Sequence, residues 1–149
     1  MSFRLASILL VAAVTAAACG GNSPTQPTSS GTGSPGSTPA LSSSHNAGRD
    51  CSGCHAFTVS GTAYRSDGSS VYPGAVIRLT TASAGGGTVV ATLTADATGN
   101  FYTSASVSFG SGLFTTATGT GGAVRAMSGA ITSGACNRCH GSGNRILVN

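Results

Sequence analysis

Between Phe57 and Ile131 the chain is a succession of short runs rich in Thr and Val: FTVSGTAYR, AVIRLTTA, TVVATLTA, NFYTSASV, LFTTATG and AVRAMSGAI. β-Branched side chains pack well on a pleated surface, and runs of this length at this spacing predict the short strands of a β-sandwich. The breaks between them carry their own chemistry. Ser66-Asp67-Gly68, Ala84-Gly85-Gly86-Gly87 and Ala97-Thr98-Gly99-Asn100 supply glycine where a turn needs positive φ. No helical period longer than two turns appears. With 5% aromatic residues and no Trp in 149 residues, the core of such a sandwich is modest.

Two cysteine clusters flank this segment. The first lies in HNAGRDCSGCH, His45 to His55, and the second in ACNRCHG, so that Cys51, Cys54 and His55 have the same spacing as Cys136, Cys139 and His140. Both units are C-x-x-C-H, the pattern of c-type haem attachment. Two thiols add to the two vinyl groups on one edge of the porphyrin, and the following imidazole coordinates the iron. On this reading Cys51, Cys54, Cys136 and Cys139 form thioethers to two haem c groups, with His55 and His140 as proximal iron ligands. Two alternatives stand beside it. Paired C-x-x-C units can hold zinc through four thiolates, and the cysteines of a small exported domain can form disulfides. Neither explains why a histidine follows both pairs.

His45 lies six residues before Cys51, and this H-x-x-x-x-x-C-x-x-C-H arrangement resembles segments of bacterial multihaem cytochromes. The resemblance implies a distal role for His45, at its own haem or the other one; otherwise it is a surface histidine ending a linker. No further histidine remains for the second haem. Met127, nine residues before Cys136, is the second distal candidate, although VRAMSGAI alternates like a strand in which a methionine simply packs inward.

The N-terminus, MSFRLASILLVAAVTAAAC, has a basic residue, an apolar run from Leu5 to Val14 and small residues before Cys19, the order of an export signal over residues 1–18. The apolar run falls short of the roughly 20 residues needed to cross a bilayer. Small residues followed by Cys19-Gly20-Gly21 resemble the lipobox of bacterial lipoproteins, which implies lipidation of Cys19 and an outer membrane lipoprotein facing the periplasm or the cell surface. Residues 20–44 contain 21 Gly, Ser, Pro or Thr among 25, too little apolar surface to offset ordering entropy, so residues 19–44 are read as a disordered linker. It spans about 25 to 30 Å on average.

In the sandwich segment, Val59-Ser60-Gly61, Pro73-Gly74-Ala75-Val76-Ile77-Arg78-Leu79 and Thr94-Ala95-Asp96-Ala97-Thr98-Gly99-Asn100-Phe101 resemble the carboxypeptidase regulatory-like or transthyretin-like domains. That resemblance covers about half the chain and implies an Ig-like β-sandwich with no activity of its own. Tyr64, Tyr72 and Tyr102 then read as packing residues and not as a sugar-binding platform.

The organisation expected is therefore a first haem-binding segment at 45–56, a sandwich at 57–131 and a second haem-binding segment at 132–149. The function expected is one-electron transfer outside the cytoplasm by a membrane-anchored dihaem c-type cytochrome, with other cytochromes or further copies as partners. The alternative is an exported structural or adhesive sandwich whose motifs serve folding or assembly. The charged residues are seven Arg and three Asp, a formal +4 without a cluster, which argues against nucleic-acid binding. Asp50, Asp67, Asp96 and His45 are the only acid–base candidates outside the motifs, so an electron carrier is expected and not an enzyme. Arg49, Arg125, Arg138 and Arg145 lie in or near the motifs and are candidates for pairing with haem propionates.

Overall fold

The computed structural model describes residues 45–149. The export signal, Cys19 and the linker lie outside the described residues. Two four-stranded sheets form the sandwich, and among the described residues the α-helical content is one turn.

The first sheet is built on β1 (Val59–Arg65), which is flanked antiparallel by β4 (Asn100–Thr103) with Val59 opposite Thr103 and Gly61 opposite Phe101. Two short strands from the C-terminal segment run parallel to β1. β7 (Gly134–Ala135) pairs with Val59 and Ser60, and β8 (Ile146–Val148) pairs with residues Ala63 to Arg65. The second sheet is antiparallel in the order β3-β2-β5-β6, from β2 (Val76–Thr80), β3 (Val89–Thr94), β5 (Phe114–Thr118) and β6 (Val124–Ala126). A bridge between Leu113 and Ile131 extends it.

Alternation along the strands places the core between the sheets. Val59, Ala63 and Phe101 face it from the first sheet, joined by Val148; Ile77, Leu79, Ala91, Leu93 and Ala117 face it from the second. Register matches these partners, with Ile77 opposite both Leu93 and Ala117. Several of the filling residues are alanines, so the core is as small as the composition implies. Tyr64 and Tyr72 are buried, which is the packing role expected of strand tyrosines.

All six expected strand runs contain a strand. At the turn before β4, Gly99 has φ +76°, and a Cβ there would stand 2.7 Å from the Val71 Cβ and 2.8 Å from the Ala63 carbonyl oxygen, so only glycine fits. The sequence does not announce β7 and β8. Two- and three-residue strands are too short to show a period, and parallel pairing to β1 depends on a partner some eighty positions earlier.

The pattern on β1 is unusual for a strand in a two-layer sandwich. Alternate residues should face solvent, yet Ser60 and Thr62 are 2% and 0% exposed. What covers them are the two cysteine clusters.

Candidate functional site

The first cluster begins where the described chain begins. Asn46, with φ +57°, starts a tight turn closed by the Arg49 amide donating to the Asn46 carbonyl. A single 3-10 turn follows at Cys51–Gly53. Asp50 caps it: Oδ1 accepts from the Ser52 amide at 3.0 Å and the Ser52 hydroxyl at 2.7 Å. Those Ser52 bonds, aided by Arg138, hold the Asp50 carboxyl below its usual range. The Cys54 and His55 amides both donate back to the Cys51 carbonyl, which sets the two sulfurs and the imidazole on one compact turn. Cys51 is half-buried and Cys54 exposed.

The second cluster forms the one-turn helix α1 (Cys136–Cys139), closed by the His140 amide donating to the Cys136 carbonyl. Cys136 packs against the core, and burial pushes its thiol up to about 11; burial also raises the Cys51 thiol. Cys139 is exposed. Cys51, Cys136 and Cys139 are free thiols.

The two clusters meet. Arg138 Nε lies 3.4 Å from Asp50 Oδ2. More telling is Asn137, the first residue between the two cysteines of the second motif. It is buried, and its Nδ2 donates to the Arg49 carbonyl at 2.8 Å, across 88 positions of sequence. Its Oδ1 accepts from the Thr62 amide at 3.0 Å, and Nδ2 also donates to Thr62 Oγ1 at 2.9 Å. Thr62 lies between the stretches of β1 taken by β7 and β8, so its amide would otherwise be orphaned. Thr62 Oγ1 in turn accepts from the Gly48 amide and donates to Asn100 Oδ1, and Asn100 Nδ2 donates to the His45 carbonyl. One buried polar network over β1 thus pins both segments. Sequence reasoning missed Asn137, Thr62 and Asn100 as site-forming residues, because nothing local distinguishes an inter-cysteine Asn or a strand Thr from a solvent-facing one.

The histidines have distinct surroundings. His140 Nδ1 lies 2.8 Å from the Asn144 carbonyl oxygen. A carbonyl only accepts, so Nδ1 carries the proton and the neutral ring keeps its Nε2 lone pair, the form a metal-ligating imidazole needs. The His55 ring stacks on Phe57 at 5.0 Å between centroids, and Phe57 on Tyr102 at 4.7 Å. The His45 ring is tilted by 53° to that of His55, with the centroids 5.6 Å apart. Two imidazoles on opposite faces of one iron stand roughly 6 Å apart, from two metal–nitrogen bonds of about 2 Å and two half rings. The structure therefore brings His45 to the first motif's own histidine.

Met127, just after β6, lines a groove of about 150 Å³ together with Cys136, His140, Arg125, Arg145 and Thr115. The groove is mostly apolar, and it gathers the second motif's inner thiol, its imidazole and the methionine candidate. Two of its lining residues also carry a buried polar atom without a partner, Thr115 Oγ1 and Arg145 Nε. A mostly apolar groove with arginines among its lining residues suits one edge of a porphyrin bearing carboxylates. Its volume is well below the roughly 300 Å³ that encloses even a small ligand, so the larger part of such a group would lie outside. Arg145 is further held with its guanidinium 4.4 Å from the Tyr64 ring centroid and Nη1 donating to the Gly68 carbonyl.

Among the described residues no three His, Cys, Asp or Glu side chains converge as a metal-holding group. A four-thiolate zinc site is therefore not assembled, whereas haem iron takes four nitrogens from the porphyrin and asks only one or two donors of the protein. The residues present fit haem. Asp67 and Asp96 are spent on turns: Asp67 Oδ1 accepts from the Ser69 and Ser70 amides, Asp96 Oδ1 from the Thr98 and Asn100 amides. Comparison with family models, curated proteins and solved structures gives no match.

Proposed function

We propose that the chain is an exported dihaem c-type cytochrome, anchored to the outer membrane through Cys19, which carries single electrons outside the cytoplasm. The observation that carries this reading is the meeting of two C-x-x-C-H turns on β1, one of them with its imidazole tautomer fixed by the Asn144 carbonyl.

Cys51, Cys54, Cys136 and Cys139 would hold the two groups by thioethers, His55 and His140 would each offer an imidazole nitrogen to iron, and His45 and Met127 would be the further candidate donors. Attached haem supplies the ferric–ferrous couple. The chain's own part is to fix the donors and set exposure. The Phe57 stack holds the His55 plane, the Asn144 carbonyl fixes the orientation of the His140 ring, and Arg125 and Arg145 offer positive charge to carboxylates in the second groove. Acid–base groups for bond chemistry are few, which favours a carrier over a catalyst. Redox partners are other cytochromes or further copies of the chain.

The test is the intact mass and reduced pyridine haemochrome spectrum of the full chain, exported in a host with cytochrome c maturation machinery. Two covalent haems are expected; a haem-free chain with zinc or only disulfides overturns the reading. In loaded protein, His45→Ala converts one low-spin ferric haem to high spin and Met127→Ala the other; an unchanged spectrum removes that residue from the ligand set.

A second reading, in which the motifs serve mainly folding or assembly, draws on the same junction, since β7 and β8, which flank the second motif, complete the first sheet. A loaded protein that no donor reduces favours it.

A further inference from the structure

A buried side-chain network that joins two cofactor-attachment turns does more than close a gap in a sheet. Asn137 makes three of its four possible side-chain hydrogen bonds at this junction. Both Nδ2 protons are donated, one to the Arg49 carbonyl and one to Thr62 Oγ1, and Oδ1 accepts from the Thr62 amide. Thr62 Oγ1 is complete, donating to Asn100 and accepting from Gly48 and Asn137. The first segment is thereby gripped at three backbone atoms, the His45 and Arg49 carbonyls and the Gly48 amide. A fully satisfied buried network holds its members to one arrangement.

The other link between the clusters is weaker. The Arg138–Asp50 pair has side chains 72% and 32% exposed, and exposed pairs of this kind add little. Burial, not charge, therefore fixes the spacing.

We propose that Asn137 is the positioning residue that locks the two C-x-x-C-H turns against each other, so that the groups attached to them communicate directly and behave as one electronic unit. The inference rests on the dihaem reading. It adds that the two sites are coupled inside one chain and that this coupling runs through a residue which touches neither iron. Centres held at short fixed separation titrate as a pair, in macroscopic steps that belong to both.

The side chain allows the two functions to be separated. Asn137→Asp keeps an acceptor for the Thr62 amide but removes both donors, so the second turn stays docked on β1 while its tie to Arg49 is cut and replaced by repulsion between carboxylate and carbonyl. The experiment uses full-length, haem-loaded protein and reads the Soret circular dichroism, where two coupled porphyrins give a two-signed couplet whose size depends on their mutual distance and angle. Haem count by mass and low-spin absorbance serve as controls. A couplet in the parent protein that falls about twofold or more in Asn137→Asp, with two haems and low-spin iron retained, is expected, because attachments of this kind tolerate only about 0.5 Å of slack. Thr62→Val, which removes the Oγ1 bonds to Gly48, Asn100 and Asn137 without altering either motif, is read in the same way if Asn137→Asp does not load both haems, and Thr62→Ser should restore the parent signal.

Two haems without a couplet in the parent, or an undiminished couplet in the variants, overturns the inference and leaves the cytochrome reading intact. A parent chain with no covalent haem overturns both, and the mass separates that outcome from the others.

Discussion

Gly61 gives the sharpest test of how the second cluster is seated. An ideal Cβ on Gly61 would lie 2.4 Å from Phe101 Cζ, 3.0 Å from its Cε2 and 2.9 Å from the Cys136 Cβ. Non-bonded carbons rest at about 3.5 to 4.0 Å, so Gly61→Ala demands roughly 1 Å of movement from an aromatic ring and a cysteine. The ring has little freedom, since Phe101 is 0% exposed and belongs to the central core. Overpacking of this kind costs about 1–3 kcal/mol. Alanine also lowers the entropy of the unfolded chain, which offsets about 0.4–1 kcal/mol.

A net loss of about 1–1.5 kcal/mol is expected from the centres of these ranges, a substantial fraction of the 5–15 kcal/mol typical of a small domain. Urea unfolding followed by far-ultraviolet circular dichroism would then shift its midpoint by about 0.5–0.75 M, for a slope near 2 kcal/mol/M. The cause can be isolated with Phe101→Leu, whose side chain vacates part of the clash. In the double variant the two losses should fall short of additivity by about 1 kcal/mol. If Gly61→Ala is as stable as the parent, or more so, Cys136 does not pack beneath β1 in the manner described.

Two further outcomes follow from the charged residues. Asp67, bonded first by the Ser70 amide and then by that of Ser69, has its carboxyl drawn down to about 2. A depressed pKa stabilises above the ordinary value of 3.8 and the benefit fades as pH falls from there towards 2, so a carboxyl titration by NMR should place Asp67 near 2 with the Ser69 and Ser70 amides moving in step; a midpoint near 3.8 refutes the capped turn. Arg138→Gln should change unfolding free energy by no more than about 0.5 kcal/mol, because the pair it breaks is solvent-screened. A loss above about 2 kcal/mol would transfer the joining role from Asn137 to the ion pair.

How far the sequence reveals the molecule differs between its parts. The six central strands are legible because Thr and Val alternate between glycine turns, and Gly68 and Gly99 take the positive φ that their positions imply. The motif residues are legible because the spacing itself encodes chemistry. What the sequence hides is everything long-range. β8 is three residues, visible only once Ala63 to Arg65 is known to lie beside it, and Asn137 acquires meaning only when Thr62 presents an unpaired amide in the gap left by β7 and β8. Ser60 and Thr62 mislead in the other direction. Their polarity suggests a solvent-facing edge of β1, yet they are buried because polar segments cover them and satisfy their hydrogen bonds.

The seating of Cys136 bears on the order of assembly. In the folded chain its sulfur is packed against the core and its S–H points to the Gly134 carbonyl, while burial raises the thiol to about 11. The thiolate at pH 8 is therefore much scarcer than for a free cysteine, and it lies where reagents reach it poorly. Cys139, one turn on, is exposed. Covalent attachment through both sulfurs needs both to be accessible, so on the dihaem reading proposed above residues 132–149 would carry their group before they dock on β1. The parallel ladder between β8 and β1 is suited to closing late, since it joins segments more than eighty positions apart and its loop entropy must first be overcome. Alkylation of the reduced, haem-free chain at pH 8 should then label Cys139 quickly and Cys136 at least about tenfold more slowly, with the difference vanishing in concentrated urea. Equal rates in the folded chain would mean that Cys136 is reachable in place, and attachment could follow folding as readily as precede it.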